Sequence, residues 1–548
     1  MFLPRVPYGQ VKALVLVVTF LAMTLVSLMY RMYKQPAPYE FTEGRTSPWH
    51  EWNKTAPRIQ SEEVQYLKYL VQTYGLTKDV RWHSRRMRST YSASKRLSMT
   101  DTTLRFMPAG DSIRINVDDE NLDLSSEQPV NLVLHRSARP DELDASAFLF
   151  GISSTYSRLI YANHSLIRDW QRWLTDGKGT SNGAQVLLAL HDASKTEIDK
   201  ITRILQSAGI DAAVTSSKPS LDTASRYMDL LQSLMQNQDK GEKRSSMQRK
   251  FLSLIDDDTF FPSMDKLLRE LAKFKNDEPY YIGVPSERSD WFVERNESMT
   301  YGGGAVFVTQ AMAEMAASCF RKDKRDNEFG SGSAWDAVLY DCISKNTEEN
   351  LHILPSFYSP EDDQRYGQET ISNEGYGGGI QPLTLHHARN WHRFEAGKGH
   401  LVTSVCGEDC FLQRFQFKDD WILVNGYSIT NFPDGMDAIP LKKGSKLLTQ
   451  DSRDAKPIKI HESIVLDSTE RLAETADMKM IVWTGRKRVW RLADSKLLDN
   501  GEVWQAYIKR KDGGNWDDYV DRRLSGDRIH SDEERTDRDS VIVLIWEP

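Results

Sequence analysis

The sequence predicts an α/β protein built on a largely parallel sheet. Three observations carry this expectation. From about residue 146, short apolar runs alternate with amphipathic helical segments. One of those runs leads directly into three adjacent carboxylates, Asp256-Asp257-Asp258. Beyond about residue 400 the pattern changes to strand-like runs separated by charged turns, which adds a smaller β-rich C-terminal domain over 401–548.

With 548 residues and 39% hydrophobic content, the chain is long enough for two to four domains with ample core. A formal net charge of −7 gives no footprint for nucleic-acid binding. At the N-terminus, residues 13–30 carry no charge and are long enough to span a bilayer as one helix. Arg5 and Lys12 precede the span, Arg31 and Lys34 follow it, and no clear small-x-small cleavage site comes after. A signal anchor is therefore expected rather than a cleaved signal peptide. The flanking charges nearly balance. The short tail 1–12 is assigned to the cytoplasm, with the remainder in the lumen of the Golgi or endoplasmic reticulum as a single-pass type II protein. The sequons at Asn53, Asn163 and Asn296 suit that compartment. So do the four cysteines, expected to pair as Cys319–Cys342 and Cys406–Cys410.

Residues 31–145 read as a polar, irregular stem opened by Pro36, Pro38, Pro48 and Pro57. The stem carries a basic run, Arg81, Arg85, Arg86, Arg88, Lys95 and Arg96, which reads as solvated surface, with an acidic partner as the alternative. The catalytic region is expected over 146–400. Residues 147–152 form a buried-strand run that ends in the hydroxyl-rich Ser153-Ser154-Thr155, and a helix holding Trp170 and Trp173 follows. Residues 185–190 make a second strand. Ser194 and Glu197 then form a capping box for a helix that puts Ile198, Ile201 and Leu205 on one face and stops at Gly209. Residues 212–215 are a short strand, and 250–255 feed the acids. Met264, Leu267, Leu268 and Leu271 mark another amphipathic helix, and 280–284 another strand. Tyr301-Gly302-Gly303-Gly304-Ala305 leads into an apolar strand and a helix. Trp335-Asp336 opens a helix, and His386-His387 follows Gln381-Pro-Leu-Thr-Leu385. In the C-terminal region, strands are expected within 411–429 and over 459–466, 480–483, 503–508 and 541–546, with a solvated loop over 514–540.

Three neighbouring acids repel one another and are costly to desolvate; a bound divalent cation removes both penalties. Hard cations such as Mn2+ and Mg2+ take carboxylate oxygens and share their remaining positions with substrate phosphates. A strand that ends in such a triplet places it at the carboxyl edge of the sheet, where open α/β folds bind ligands. The glycines permit close backbone approach. Their spacing matches neither a P-loop nor a dinucleotide fingerprint, so a nicotinamide cofactor is disfavoured. Asp336 is either a reacting carboxylate or a helix-terminal acid favoured by the dipole. His386 and His387 are either metal ligands or polar loop residues.

In order and spacing these elements resemble fungal members of glycosyltransferase family 31, the Fringe-like, β1,3-galactosyltransferase-like superfamily. The resemblance rests on Phe150-Gly151-Ile152 with its Ser-rich turn, Asp256-Asp257-Asp258-Thr259, and Tyr281-Ile282-Gly283 with Ser286-Glu287. Tyr301-Gly-Gly-Gly-Ala305, Asp336 with Leu339 and Cys342-Ile343, and Leu385-His386-His387 complete it, over roughly residues 146–395. It implies a GT-A fold with a Rossmann-like mixed sheet, a UDP-sugar donor, Mn2+ (or Mg2+), a glycan or glycoprotein acceptor, and inversion at the anomeric carbon. It further implies Asp256, Asp258 and His386 as the metal site, with His387 as the close alternative to His386 and with Asp256 reaching a metal-bound water or the nucleotide ribose. Ser153, Ser154, Asp257, Gly302, Gly303 and Gly304 would line the nucleotide site, and Asp336 would act as the base. Relatives place Gly or an acid before that Asp, whereas Trp335 stands here. The rival readings are a non-catalytic lumenal carbohydrate-binding or scaffold protein and a metal-dependent phosphohydrolase.

Overall fold

The segment expected to be an irregular stem is folded over much of its length. Helix α1 (Glu62–Tyr74) is N-capped by Ser61, whose side chain accepts from the Val64 amide, and ends at Gly75 in the left-handed region (φ 58°). Strands β1 (Asp79–Ser92), β2 (Met99–Asp101), β3 (Ile113–Asn116) and β4 (Glu127–His135) follow. The computed structural model describes residues 61–107, 112–122, 124, 127–241, 249–283, 300, 302–323, 334–349, 351–354, 381–391, 394–440, 479–483, 486–511 and 538–548. All of them belong to the compact unit Gly44–Pro548.

The central region builds the expected α/β layer. In chain order it comprises β5 (Phe148–Thr155), α2 (Tyr156–Leu174), β6 (Gln185–His191), α3 (Lys195–Ser207), β7 (Ala212–Ser217), α4 (Thr223–Gly241), β8 (Phe251–Ile255) and α5 (Met264–Leu271). It continues through β9 (Tyr281–Gly283), β10 (Val306–Thr309), α6 (Gln310–Asp323), α7 (Trp335–Asn346) and β11 (Leu351–Ile353). Seven strands form one sheet in the order β11-β9-β10-β8-β5-β6-β7. Strands β5 to β8 are mutually parallel where they pair, and β10 runs antiparallel to both β8 and β9, so the sheet is mixed. The capping box at Ser194 and Glu197 is present. Helix α4 was not anticipated. Its buried Tyr227, Leu230, Leu231 and Leu234 keep helical spacing. A Cβ on Gly151 would lie 2.9 Å from a Leu234 methyl carbon, so the glycine in β5 lets α4 seat on the sheet.

The C-terminal region contributes β12 (Arg414–Gln416), β13 (Trp421–Val424), β14 (Ser428–Asn431), β15 (Met436–Pro440), β16 (Lys479–Trp483), β17 (Arg488–Leu497), β18 (Val503–Lys509) and β19 (Ser540–Glu547). These strands do not form a separate smaller domain. A ten-stranded sheet runs β2-β12-β13-β14-β17-β18-β19-β1-β3, with β4 also paired to β1, so both ends of the described chain build it. The physical reason lies in β19. Val541, Val543 and Ile545 pack with α1 on one face, while Ile542, Leu544 and Trp546 enter the core on the other. A strand apolar on both faces is central and needs neighbours on both edges. Strand β18 is one neighbour, and β1, parallel in register from Arg81 opposite Ser540 to Arg88 opposite Glu547, is the other. Part of the basic run is thereby used within the fold. Arg86 donates to Glu502 (2.8 Å) and Glu547 (3.1 Å), Arg88 pairs with Glu547, and Arg85 is buried.

Cys406 and Cys410 form the expected disulfide. Cys342 is also disulfide-bonded, while the side chain of Cys319 lies outside the described residues. The apolar span 13–30, Asn53, Asn296, the strand expected over 459–466 and most of the loop 514–540 also lie outside them. No described helix is long and apolar enough to cross a membrane.

Candidate active site

The sheet changes direction between β5 and β8. Strands β6 and β7 lie on one side of β5 and β8 lies on the other, with Ile152 opposite Ile255 in parallel register. A crevice outside the carboxyl ends of strands forms at such a switch point. The register brings the Ser153-Ser154 turn and the Asp256-Asp257-Asp258 triplet together at that edge.

The three acids have three different surroundings. Asp257 is buried and accepts from Arg158 Nε (2.7 Å), Arg158 Nη2 (2.5 Å) and Ser154 Oγ (2.5 Å). Its carbonyl accepts from Trp170 Nε1 at 3.0 Å. Asp257 and Ser154, expected to face a nucleotide, are instead joined to each other and to α2, which fixes the turn. Ser153 Oγ accepts from Arg226 Nε at 3.2 Å. Asp256 Oδ1 accepts from Tyr227 OH (3.0 Å) and Trp335 Nε1 (3.2 Å), whose rings stack at 4.3 Å between centroids. Its Oδ2 lies 3.5 Å from His386 Nε2.

Asp258 is the focus of the site. Its Oδ1 is 3.2 Å from His386 Nε2 and its Oδ2 is 2.7 Å from His387 Nδ1. Burial pushes this carboxyl up, but the hydrogen bonds and charges of the two imidazoles outweigh it and hold the group well below the usual carboxylate range. One ligand atom from each of Asp258, His386 and His387 falls within 4.8 Å of the others. The structure thus brings both histidines to the acid, where the sequence left a choice between them. Asp256 is oriented first by Tyr227 and Trp335.

The histidines reach the triplet through backbone pairing. Phe260 and Leu385 exchange reciprocal N–H···O bonds of 2.8 Å in an antiparallel bridge, which sets the residues before Phe260 against those after Leu385. His387 adopts φ 48°, an unusual value for a non-glycine residue. Consecutive side chains can then turn to the same side, and the two imidazole centroids lie 3.8 Å apart.

The glycine turn does a different job from the one expected. Gly302, Gly303 and Gly304 are fully buried. A Cβ on Gly302 would lie 2.4 Å from the Trp335 ring, and one on Gly303 would lie 2.3 Å from the His386 ring. These glycines make room for the two rings that flank the acids. Thr259 Oγ1 ties the turn to the triplet by donating to the Gly303 carbonyl at 3.2 Å.

Asp336 sits in the first turn of α7, buried, and accepts from the Gly302 amide through Oδ2 and the Ala337 amide through Oδ1, both at 2.9 Å. Burial raises its proton affinity, the two amides oppose this, and the nearby Asp256 charge adds to the rise. Each carboxylate oxygen accepts one of these amide bonds and has a second acceptor position. Arg158, Arg226 and Tyr227 escaped the sequence reading, as did the contact of Trp335 with Asp256. Only Trp335 carried a signal, as the aromatic residue standing where relatives place Gly or an acid.

The donor set fits a divalent cation. It offers one carboxylate and two imidazoles, with Asp256 beside them, and it favours an ion that accepts nitrogen ligands, Mn2+ before Mg2+.

No protein-family model and no curated protein matches the chain. Solved structures similar to part of it include the glycosyltransferase GlyE of Streptococcus pneumoniae TIGR4, at 14% identity and a TM-score of 0.26, over 46% of this chain and 55% of that one. The chain therefore spans about half the length of that structure. The inositol-1-phosphate CTP transferase of T. maritima matches at 12% identity and 0.24, over 39% of this chain and 86% of that one. A glycosyltransferase involved in glycosylation of the major capsid of PBCV-1 matches at 8% and 0.23, over 44% and 92%.

Proposed function

We propose that this chain is a GT-A, Fringe-like inverting glycosyltransferase that moves a hexose or N-acetylhexosamine from a UDP-sugar to a glycan or glycoprotein acceptor, by β1,3 transfer. The observation that carries the reading is the convergence of His386 and His387 on Asp258 at the switch point of the mixed sheet. Asp258, His386 and His387 would hold Mn2+. When bound, the ion supplies charge neutralisation for a nucleoside-diphosphate leaving group.

The protein's own groups do the rest. Tyr227 and Trp335 clamp Asp256 Oδ1, leaving Oδ2 to orient a donor hydroxyl or a water. Arg158, 3.8 Å from Asp258 Oδ2, and Arg226 place positive charge where the diphosphate would lie. Asp336 takes the proton from the attacking acceptor hydroxyl. Its amide contacts fix the carboxylate, and burial moves its proton affinity toward the working pH of a general base. One such base opposite the leaving group is what single-displacement inversion requires. The span 13–30 would anchor the enzyme as a type II protein of the Golgi or endoplasmic reticulum membrane, with this site in the lumen.

The test is UDP release and product formation with the full chain, Mn2+ and a panel of UDP-sugars, beside direct Mn2+ titration. The reading expects Mn2+-dependent release with at least one donor. Mn2+ and donor binding with no turnover on any acceptor would instead support the carbohydrate-binding alternative.

A further inference from the structure

The ten-stranded sheet bends until its two ends approach one another. Strand β2 lies at one end and β4 at the other, yet Thr100 of β2 and Val133 and His135 of β4 line one cleft of about 120 Å3. The β1–β2 connection, Ser94 to Leu97, closes it, and Asp409 and Gln413 form its floor. These residues are held in place. His135 Nδ1 bonds the Ser94 carbonyl (2.6 Å), Arg96 Nε donates to the Asp409 carbonyl (3.0 Å), and Gln413 Nε2 donates to the Leu97 carbonyl (2.9 Å).

The charges in the cleft are unbalanced. Its single carboxylate, Asp409, is 4% exposed and is engaged from behind: Oδ1 accepts from Gln381 Nε2 (2.7 Å), and Oδ2 faces His135 Nε2 (3.7 Å) and Arg269 Nη2 (3.9 Å). Lys95, Arg96 and His135 line the same cleft, and His135 has both ring nitrogens engaged, one with the Ser94 carbonyl and one with Asp409. Lys95 is exposed and makes no ion pair among the described residues. One shielded acid beside the Lys95 ammonium and the Arg96 guanidinium does not suit a cation. It suits an oxyanion, which takes charge-assisted hydrogen bonds from ammonium and guanidinium groups. The volume is below that of pockets that enclose whole ligands, so the cleft fits one acidic group, with the rest of the ligand lying across the rim. The rim carries Leu97 and Val133, 46% and 55% exposed, which offer apolar contact to the C–H face of a sugar ring.

We propose that this cleft binds the acidic group of an anionic glycan, such as a terminal uronate. Its role as a holding site for the acceptor rests on the transferase reading; the binding itself does not. The cleft and the candidate metal site share one segment. Gln381 bonds Asp409, and five and six residues later the same segment supplies His386 and His387.

The test is calorimetric titration of the full chain, without metal or nucleotide, using three probes: a glucuronate-terminated trisaccharide, its glucose-terminated counterpart and inorganic phosphate. The acidic trisaccharide should bind about tenfold or more tightly than the neutral one, and Lys95→Glu should weaken it by about tenfold. Raising the salt should weaken it further. Mn2+ binding by Lys95→Glu should match wild type, which reports that the variant is folded. Equal binding of both trisaccharides, or no effect of Lys95→Glu, overturns the proposal. Phosphate binding as tightly as the acidic trisaccharide overturns the glycan assignment in favour of a free-anion site. Because no turnover is measured, a failed transferase reading leaves this result intact.

Discussion

The two sheets are assembled in opposite ways. The seven-stranded sheet is drawn from one stretch, Phe148 to Ile353, with helices carrying the chain between its parallel strands. The ten-stranded sheet joins chain ends, so that Arg86 of β1 bonds Glu547 of β19, 461 positions away. The first is rich in local contacts and the second depends on loop closure over most of the chain. The candidate site takes its acids from the local sheet. Its imidazoles come from the segment that leads toward the second. Chemistry should therefore be sensitive to substitutions in the first sheet and stability to substitutions in the second.

The largest expected effect is at the acid. Asp258→Ala removes the carboxylate on which both imidazoles converge and relieves repulsion within the triplet. Mn2+ binding should be lost, with only a modest fall in melting temperature, since the folded state stabilises this carboxylate through both imidazoles. An Asp258→Ala protein that binds Mn2+ with wild-type affinity in calorimetry would mean that the ligand set is wrong.

Asp336→Asn is next. It keeps size but loses the proton acceptor, and loss of a general base costs on the order of 10^2 to 10^4 in rate. Donor and Mn2+ affinity should remain. A purely structural helix-terminal role predicts the reverse, a lower melting temperature with normal turnover per folded molecule. Measuring kcat and melting on one sample separates the two.

Trp546→Ala carries the comparison into the second sheet. Trp546 is fully buried and donates to Gln505 Oε1 at 2.9 Å. Truncating it should cost about 3–5 kcal/mol in urea unfolding without changing Mn2+ affinity in the folded fraction. A parallel loss of Mn2+ affinity would show that the sheets are not separable in function. Gly303→Ala is the converse probe within the first sheet. Its methyl would meet the His386 ring, so Mn2+ affinity should drop about tenfold, within the range seen when groups that support metal ligands are disturbed.

These contrasts also explain what the sequence could reveal. The triplet was legible because an apolar strand and its three acids are adjacent in sequence. The separate fates of Asp256, Asp257 and Asp258 were not, because Tyr227, Trp335 and Arg158 come from other elements. The glycines looked like room for a ligand because φ freedom is a local property; the rings they clear are distant in sequence. Strand β1 was hidden by its arginines, whose partners Glu502 and Glu547 lie near the other end of the chain. The capping box at Ser194 was legible because all of its contacts span three residues.

The last test concerns the contact between the two regions, and it depends on pH. Glu408 is fully buried where the segment preceding β12 meets α5. Its Oε2 accepts from Ser263 Oγ (3.0 Å) and the Asp265 amide (2.8 Å). Burial pushes its carboxyl up to about 8, the two hydrogen bonds oppose this, and the nearby Asp265 and Asp409 charges add to it. Arg172 also feels the Glu408 charge, and His400 feels that of Arg172. A folded-state value above the unfolded one means that the folded protein keeps a proton the unfolded chain has released. The group's contribution is complete below the ordinary glutamate range, declines as pH rises through it, and is gone above about 8. The slope this adds is at most about 1.4 kcal/mol per pH unit. Glu408→Gln is neutral and keeps an acceptor for both donors, so it should flatten the fall in melting temperature between pH 5 and 8. Asp169, whose carboxyl is pushed up to about 6 by burial, retains its own part of the slope, so flattening will be partial. If wild type and Glu408→Gln follow parallel curves, Glu408 is ionised in the folded protein and Arg172 is its compensating charge.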